Sequence, residues 1–258
     1  VQSSYMMTPT TMQMNMHMIG AMWGYSNNLT VTAMINYRSN EMSMINQMNV
    51  SSDMSSEGFG DLKLGTIYTL SNSNNRHILI NSSLSIPIGS IEEKNDAGNH
   101  LPYGMQLGSG TYDLNLGTTY TAFFSDYSYG GQINALVRLG KNTFDYSLGN
   151  QYKINTWAQK IWTKEISTSI KGSALFISDI NGSDSSISAM VAGMNPLYTT
   201  EQGSIRADIG IGINYFPKTN ILTGNRLAVE FNVPVFRHTN SINVVADSLL
   251  TFGIQRIL

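Results

Sequence analysis

The chain has 258 residues and a formal net charge of −2, and only 12% of its residues are charged, about half the usual ~25% of soluble globular proteins. Ser, Thr, Gly and Asn replace the usual Lys and Glu, which excludes coiled coils and helical bundles, and the lack of a basic surplus excludes a nucleic-acid partner. No apolar run reaches the ~18 residues of a transmembrane helix, and the absence of cysteine excludes disulfide scaffolds and thiol catalysis. An all-β protein remains.

Apolar and polar residues alternate along most of the chain, which is the pattern of a strand with two different faces. One face carries Ile, Leu, Val or aromatic residues, and the other carries Gly, Ser, Asn or Thr. The alternation predicts eleven strands, at residues 10–26, 29–48, 60–71, 77–91, 111–124, 127–140, 148–162, 166–180, 203–217, 226–239 and 241–258.

Many of these strands exceed ten residues, whereas strands of soluble proteins average about five or six residues. A tilted strand needs ~9–11 residues to cross a membrane. A soluble sandwich would carry charges on its outside, but here the second face is small and polar, as in a crowded lumen. The pattern therefore predicts a transmembrane antiparallel up-and-down β-barrel that forms a single domain over residues 1–258. A soluble barrel such as a large lipocalin is the alternative.

The connections alternate between short and long, as in outer-membrane barrels with short periplasmic turns and longer external loops. Long polar connections are expected at residues 49–59, 92–110, 141–147 and 181–202. If the C-terminus lies in the periplasm and successive strands alternate in direction, the first predicted strand runs from the outside inward. Bacterial single-chain barrels, however, have an even number of strands with both ends in the periplasm. We therefore expect about 12 strands, the first lying upstream of Val1, unless one strand has been merged or missed.

Five segments, spread over nearly the whole chain, carry a resemblance to a known family: Met14 to Met18 (MNMHM), Gly58 to Leu62 (GFGDL), Leu84 to Ser90 (LSIPIGS), Leu101 to Asp113 (LPYGMQLGSGTYD) and Arg226 to Glu230 (RLAVE). On these residues the chain resembles a family of outer-membrane proteins described as transporters and loosely tied to a phenol-degradation (MetA) pathway. The resemblance implies a barrel in the outer membrane of a Gram-negative bacterium, with a further Met-rich strand upstream. It implies a substrate much less firmly.

Methionine is the most unusual feature, because 12 of the 15 methionines lie within the first 54 residues. Alternation places Met12 to Met18 on one face of the first strand, and Met34 should face inward on the second. Thioethers are soft ligands that select Cu(I) or Ag(I), and a ladder of them would let an ion move from one to the next. The candidate soft-metal ligands are therefore Met12, Met14, Met16, His17, Met18 and Met34.

A second interpretation of Met12 to Met18 is favoured. If these methionines face lipid as apolar filler, the intervening Gln13, Asn15 and His17 face the lumen. The opposite arrangement would place polar Gln and Asn in lipid, which costs more free energy than placing Met there.

The predicted inward face carries charges of both signs, at Asp61, Lys63, Asp113, Arg138, Lys153, Lys171, Arg206, Asp208, Glu230 and Asp247. The favoured interpretation is a network of paired charges that braces a narrow barrel, and the other is a small-solute pathway with weak ion selectivity. Twelve strands lie between ~8, whose interior is filled by side chains, and ~16, whose interior is an aqueous channel. Any pore should therefore be narrow.

Catalysis has little support, and we expect neither an enzyme nor a cofactor. The four histidines are scattered, and the sequence at residues 108–110 is not a nucleophile elbow. His100 is expected at the surface of an external loop. Residues 179–184 resemble a calcium loop only in composition, because their spacing departs from the EF-hand pattern and Asp, Asn and Gly are first of all turn residues.

The sequence therefore predicts a passive outer-membrane channel for a small solute, with hydrophobic or aromatic compounds and soft metal ions (Cu or Ag) as the candidate cargoes. The expected partners are outer-membrane lipid and lipopolysaccharide, the barrel-assembly machinery and the solute. The alternative is a non-conducting structural or surface-interaction barrel whose external loops carry the function.

Overall fold

The computed structural model describes residues 5–187, 193–218 and 223–256 of the chain. Two 3₁₀-helices lie in loops, η1 (Tyr103–Met105) and η2 (Pro196–Tyr198). The strands of the described residues are β1 (Met7–Gly24), β2 (Leu29–Asn46), β3 (Ser51–Phe59), β4 (Leu62–Ser73), β5 (Arg76–Ile86), β6 (Tyr112–Phe123), β7 (Tyr127–Leu139), β8 (Tyr146–Ser147), β9 (Gln151–Ile161), β10 (Ile166–Ile177), β11 (Asn181–Gly182), β12 (Ser204–Tyr215), β13 (Asn225–Thr239) and β14 (Leu249–Arg256).

Twelve of these strands form one antiparallel sheet. Its order is β1-β2-β4-β5-β6-β7-β9-β10-β12-β13-β14, with β3 also paired to β2, and the two-residue strands β8 and β11 pair separately in the loops. The sheet curls through about 349° and forms a nearly closed barrel. The predicted all-β, up-and-down architecture is confirmed.

Strands β3 and β4 together make one crossing of the barrel. Residues 29–34 of β2 pair with β4, and residues 37–45 pair with β3, so the two strands follow one another along the same side of β2. The described chain therefore makes eleven crossings, at the eleven places where alternation predicts a strand. The expectation of a long polar connection at residues 49–59 is wrong, because residues 51–59 pair with the long strand β2 and form β3.

Cross-strand register separates an apolar outer face from a polar inner face. Ile211 is paired with Phe231, and the two side chains are 64% and 43% exposed. On the other face Ser173 is paired with both Asn155 and Asp208, and these last two residues are buried. Exposed apolar surface costs about 25 cal/mol per Å² in water, so a belt of such residues is stable only where lipid covers it.

The buried core lies at the end of the barrel that carries the long connections. Residues 101–109, the roof segment, follow β5 and fold against the inner face, where Leu101 and Met105 are almost fully buried. The backbone passes so closely here that a Cβ on Gly108 would lie 2.3 Å from the carbonyl oxygen of Gly89. Only glycine fits at that position, and the roof segment is therefore packed tightly into the mouth of the barrel.

The last strand is shorter than expected. β14 begins at Leu249, and residues 240–248 form the loop that precedes it. The predicted strand 241–258 and the predicted connection 181–202 extend into positions outside the described residues. The strand expected upstream of Val1 also lies outside them. Among the residues that the structure describes, no helix has the length and apolar character needed to cross a membrane.

Candidate functional site

A cavity of about 480 Å³ lies inside the barrel, directly beneath the roof segment. One wall is rich in methionine and comes from β1 and β2, and the charged wall that continues from it carries side chains from β4, β6 and β7 and from Asp61, just before β4. The residues that line the cavity include Met12, Met14, Met16, Met18, Met34, Arg38, Met42, Asp61, Lys63, Gly108, Ser109, Asp113 and Arg138.

The methionines of β1 face the cavity, so the favoured outward orientation of Met12 to Met18 is wrong. Met16 is paired with Arg38 and Met12 with Met42, and all of these residues line the cavity. Met34, on β2, also lines it. Because directly paired residues project from the same face of a sheet, the register and the cavity agree on the inward direction.

The argument for the outward orientation fails because β1 is much longer than a membrane crossing. A tilted crossing takes about 9–11 residues, whereas β1 has 18. Counted from the short turn after Gly24, a crossing of about 9–11 residues ends between Met16 and Met14. Gln13 therefore lies beyond the crossing and Asn15 lies at its edge, where a polar outward side chain costs little. His17 is also on the outer face, opposite Tyr37, and it cannot join the methionines as a metal ligand.

The charged wall fastens the roof segment through two carboxylates. Asp61 accepts hydrogen bonds from the backbone N–H of Gly89 (3.1 Å) and of Ser109 (2.9 Å). The Ser109 hydroxyl oxygen lies 2.8 Å from Oδ2 of Asp61 and 3.1 Å from Oδ2 of Asp113. Asp113 in turn forms an ion pair with Arg138, and both side chains are largely buried. The wall and the roof segment therefore form one hydrogen-bonded unit.

Arg38 links this unit to the methionine wall, and sequence reasoning missed it. Its Nη1 donates to the carbonyl oxygen of Leu107 in the roof segment (3.3 Å), and its Nη2 lies 3.6 Å from Sδ of Met14. Lys63 lies on the adjacent β4 and lines the same cavity. The signal that could have identified Arg38 is the alternation of β2, because it shares a face with Met34.

A second group of charges lines the barrel further from the roof segment. Lys171 Nζ lies 2.7 Å from Oε1 of Glu230, and Arg206 Nε lies 3.1 Å from Oδ2 of Asp208. Lys153, Lys171 and Glu230 border a second interior cavity of about 440 Å³. The inward charges therefore form two levels, one at the roof segment and one below it.

Asp247 does not belong to either level, and its predicted position on an inward strand face is wrong. It lies in the loop before β14, where its side chain forms an ion pair with Arg237 and remains 85% exposed. The prediction failed because the alternating sequence of residues 241–248 does not form a strand.

Among solved structures, the chain is similar to the crystal structure of an outer-membrane channel from Pseudomonas putida F1, with a TM-score of 0.64 and 13% sequence identity. The chain has the fold of an outer-membrane channel. The similarity covers 94% of this chain and 82% of the Pseudomonas channel. No protein-family model matches the chain, and no curated protein matches it.

The loops above the barrel contain a buried histidine. His100 is 6% exposed, so its expected surface position is wrong. Its Nδ1 lies 2.9 Å from Oδ2 of Asp184 and 3.0 Å from the hydroxyl of Ser186. A serine nucleophile and its carboxylate partner need opposite nitrogens of the imidazole, so this contact ties loops together and does not form a catalytic triad.

Three tyrosines pack around the same loop cluster. Burial raises the pKa of Tyr198 to about 12, with a smaller contribution from the negative charge of Asp184. Burial likewise raises the pKa of Tyr103 and of Tyr146. Tyr103 accepts a hydrogen bond from the backbone N–H of Asp184 (3.0 Å), and Tyr198 donates to the carbonyl of His100 (2.7 Å). The cluster is therefore held by neutral phenols.

The acidic side chains of residues 179–184, the segment with the composition of a calcium loop, form hydrogen bonds and an ion pair with protein groups. Asp179 accepts hydrogen bonds from the backbone N–H of Gly203 (2.6 Å) and the side chain of Asn240 (3.0 Å), while Asp184 is occupied by His100. Within the described ranges, no group of three or more His, Cys, Asp or Glu side chains could hold a metal ion. In this segment the acidic side chains therefore act as loop contacts.

Proposed function

We propose that the chain is a passive channel in the outer membrane of a Gram-negative bacterium and passes a small solute. The observation that carries the proposal is an interior cavity of about 480 Å³ with polar and methionine walls, inside a barrel whose outer face is apolar and exposed. Outer-membrane lipid and lipopolysaccharide would surround that face, and the barrel-assembly machinery would insert it. No covalent chemistry is part of the proposal.

The roof segment would set the size limit for the solute. Eleven crossings lie between the ~8 strands of a filled barrel and the ~16 strands of an open porin, and residues 101–109 narrow the mouth further. The paired charges below, such as Lys171 with Glu230 (2.7 Å), present both signs to the passing solute. A pathway of this kind discriminates by size more than by charge.

Two cargo classes suit the interior. The methionine wall is apolar and polarizable, which suits a hydrophobic or aromatic compound, and its thioethers suit a soft metal ion. Growth in toxic concentrations of copper or silver, with and without the gene, separates them. Equal tolerance would argue against metal passage.

Conductance across a planar lipid bilayer tests the channel directly. The refolded chain should produce discrete current steps that are smaller than those of a general porin, because the roof segment narrows the pathway. A bilayer with the same detergent and lipid but no protein is the control. A folded chain that inserts and gives no current would argue against an open channel.

A non-conducting barrel is the second candidate, and the burial of the roof segment favours it. Leu101 and Met105 are 2% and 0% exposed, so the segment could close the mouth completely and leave the external loops to carry the function. Bilayer conductance distinguishes the two candidates. If the barrel is closed, the wild-type chain should give no current, whereas a variant with a loosened roof segment should conduct.

A further inference from the structure

The methionines of the described strands are segregated on one face of the sheet. By register, the following ten all project inward: Met7, Met12, Met14, Met16, Met18, Met22, Met34, Met42, Met44 and Met54. In most strands the outer face carries Ile, Leu, Val and aromatic residues instead, as in the row of Ile209, Ile211 and Ile213 on β12. Apolar character alone does not explain this separation, because leucine or isoleucine would fill the interior equally well.

Three of these methionines form a row across three adjacent strands. Met12 on β1 is directly paired with Met42 on β2, and Met42 is directly paired with Met54 on β3. Direct antiparallel partners have Cβ atoms about 4.5–5.5 Å apart on the same face. Met12 and Met54 both pack against the buried cluster that contains Met42. Three flexible thioethers are thus held within reach of one common point.

The surroundings supply further sulfur and an entrance. Met44 and Met105 belong to the same buried cluster as Met42, and Met7 packs against it. Met12 and Met42 also line the interior cavity, whose wall continues through Met14, Met16 and Met18. The cavity therefore gives an ion access to the row.

We propose that Met12, Met42 and Met54 form a binding site for a soft monovalent cation, Cu(I) or Ag(I), at the outer end of the cavity. Thioether sulfur is a soft ligand, and soft ligands select Cu(I) over hard cations such as Na⁺ or Mg²⁺. The site does not extend along the whole wall, since Arg38 lies 3.6 Å from Sδ of Met14 and its positive charge opposes a cation there. The inference rests on the proposed function for its cargo and deepens it by naming the binding site, but the binding itself requires no current.

Silver binding to the full, folded chain tests the site without a reductant. The chain carries ¹³C at the methionine methyl groups, silver nitrate is added, and the methyl resonances are followed by NMR. The resonances of Met12, Met42 and Met54, assigned by single Met→Leu substitutions, should shift first and together. Sodium nitrate at equal ionic strength is the control and should shift none of them.

A matched pair of triple variants isolates the row. Met12→Leu, Met42→Leu and Met54→Leu together preserve apolar volume and should weaken Ag(I) binding at least tenfold. The control variant carries Met6→Leu, Met22→Leu and Met48→Leu, which lie outside the row, and should bind as the wild type does. Both variants should retain the heat-modifiable mobility of a folded barrel, and single Met→Leu changes replace any triple that does not fold.

Equal Ag(I) affinity in the wild type and the row variant would overturn the proposal, and so would shifts spread evenly over all methionines. Bilayer conductance of the same preparations keeps this result separate from the proposed function. A chain that conducts but shows no selective silver shift refutes the metal site alone. A chain that binds silver at the row but passes no current refutes the channel alone.

Discussion

Replacing Asp61 by asparagine should loosen the roof segment and increase the current through the barrel. The Asp61 carboxylate accepts from two backbone N–H groups and the Ser109 hydroxyl, at 3.1, 2.9 and 2.8 Å. Asparagine keeps one acceptor oxygen but turns an NH₂ group toward a donor, so at least one hydrogen bond to a charged group is lost. Such a bond contributes about 1.5–3 kcal/mol, and about 2 kcal/mol is a reasonable value for a carboxylate at a partly solvated cavity.

A change of about 2 kcal/mol shifts the ratio of docked to released roof segment about 30-fold, because every 1.4 kcal/mol is a factor of ten. Single-channel recordings in planar bilayers measure the shift as a higher open probability or a larger step for Asp61→Asn than for the wild type. Limited proteolysis within residues 101–109 should accelerate in parallel, since cleavage requires the segment to leave the wall.

Asp208→Asn is the matched control. Asp208 is also an inward carboxylate, and it contacts Arg206 (3.1 Å) and Ser173 (3.3 Å), neither of which belongs to the roof segment. Gly108→Ala perturbs the same docking contact by steric clash, because its Cβ would lie 2.7 Å from Oδ1 of Asp61. Identical conductance and proteolysis for the wild type, Asp61→Asn and Gly108→Ala would refute the role of this contact.

Three further outcomes follow from the described contacts. Met42→Ala should cost about 2–5 kcal/mol in the free energy of unfolding, whereas Met42→Leu should cost less than about 1.5 kcal/mol, as measured by urea titration of the folded barrel. Lys171→Met should shift the reversal potential in a KCl gradient toward cation preference, because Glu230 loses the cation 2.7 Å away; an unchanged potential would place this pair off the ion pathway. The Tyr198 contribution to stability should be complete below the unfolded pKa of about 10 and be lost as the pH rises through about 12, because the folded state holds the phenolic proton more tightly. Tyrosinate absorbance and loop proteolysis against pH measure this, and loosening at neutral pH would contradict it.

The crossings could be predicted because lipid imposes a strict condition on every one of them. An outward apolar residue at every second position, as at Ile209, Ile211 and Ile213, is visible in the sequence without any tertiary contact. That condition ends where the strand leaves the membrane. Residues 51–59 therefore lack an apolar face, and β3 could not be recognised as a strand before its partner on β2 was known.

The orientation of Met12 to Met18 could not be predicted because neither face of β1 carries charge. The decisive facts are the pairing of Met16 with Arg38 and of Met12 with Met42, and register depends on the partner strand. The loop contacts were equally hidden, since His100 and Asp184 are 84 residues apart in sequence and Ser109 lies 48 residues from Asp61. Most inward charges could be assigned by alternation alone, because their strands are regular. The prediction for Asp247 was wrong because residues 241–248 do not form a strand.

Swelling of liposomes in a size-graded series of uncharged solutes is the most direct test of the central claim, a passive channel narrowed by the roof segment. Liposomes that contain the wild-type chain should swell in the smallest solutes and should not swell above a sharp size limit within the series. Asp61→Asn should move that size limit to larger solutes. No swelling by either protein, with the barrel folded and inserted, would contradict the account.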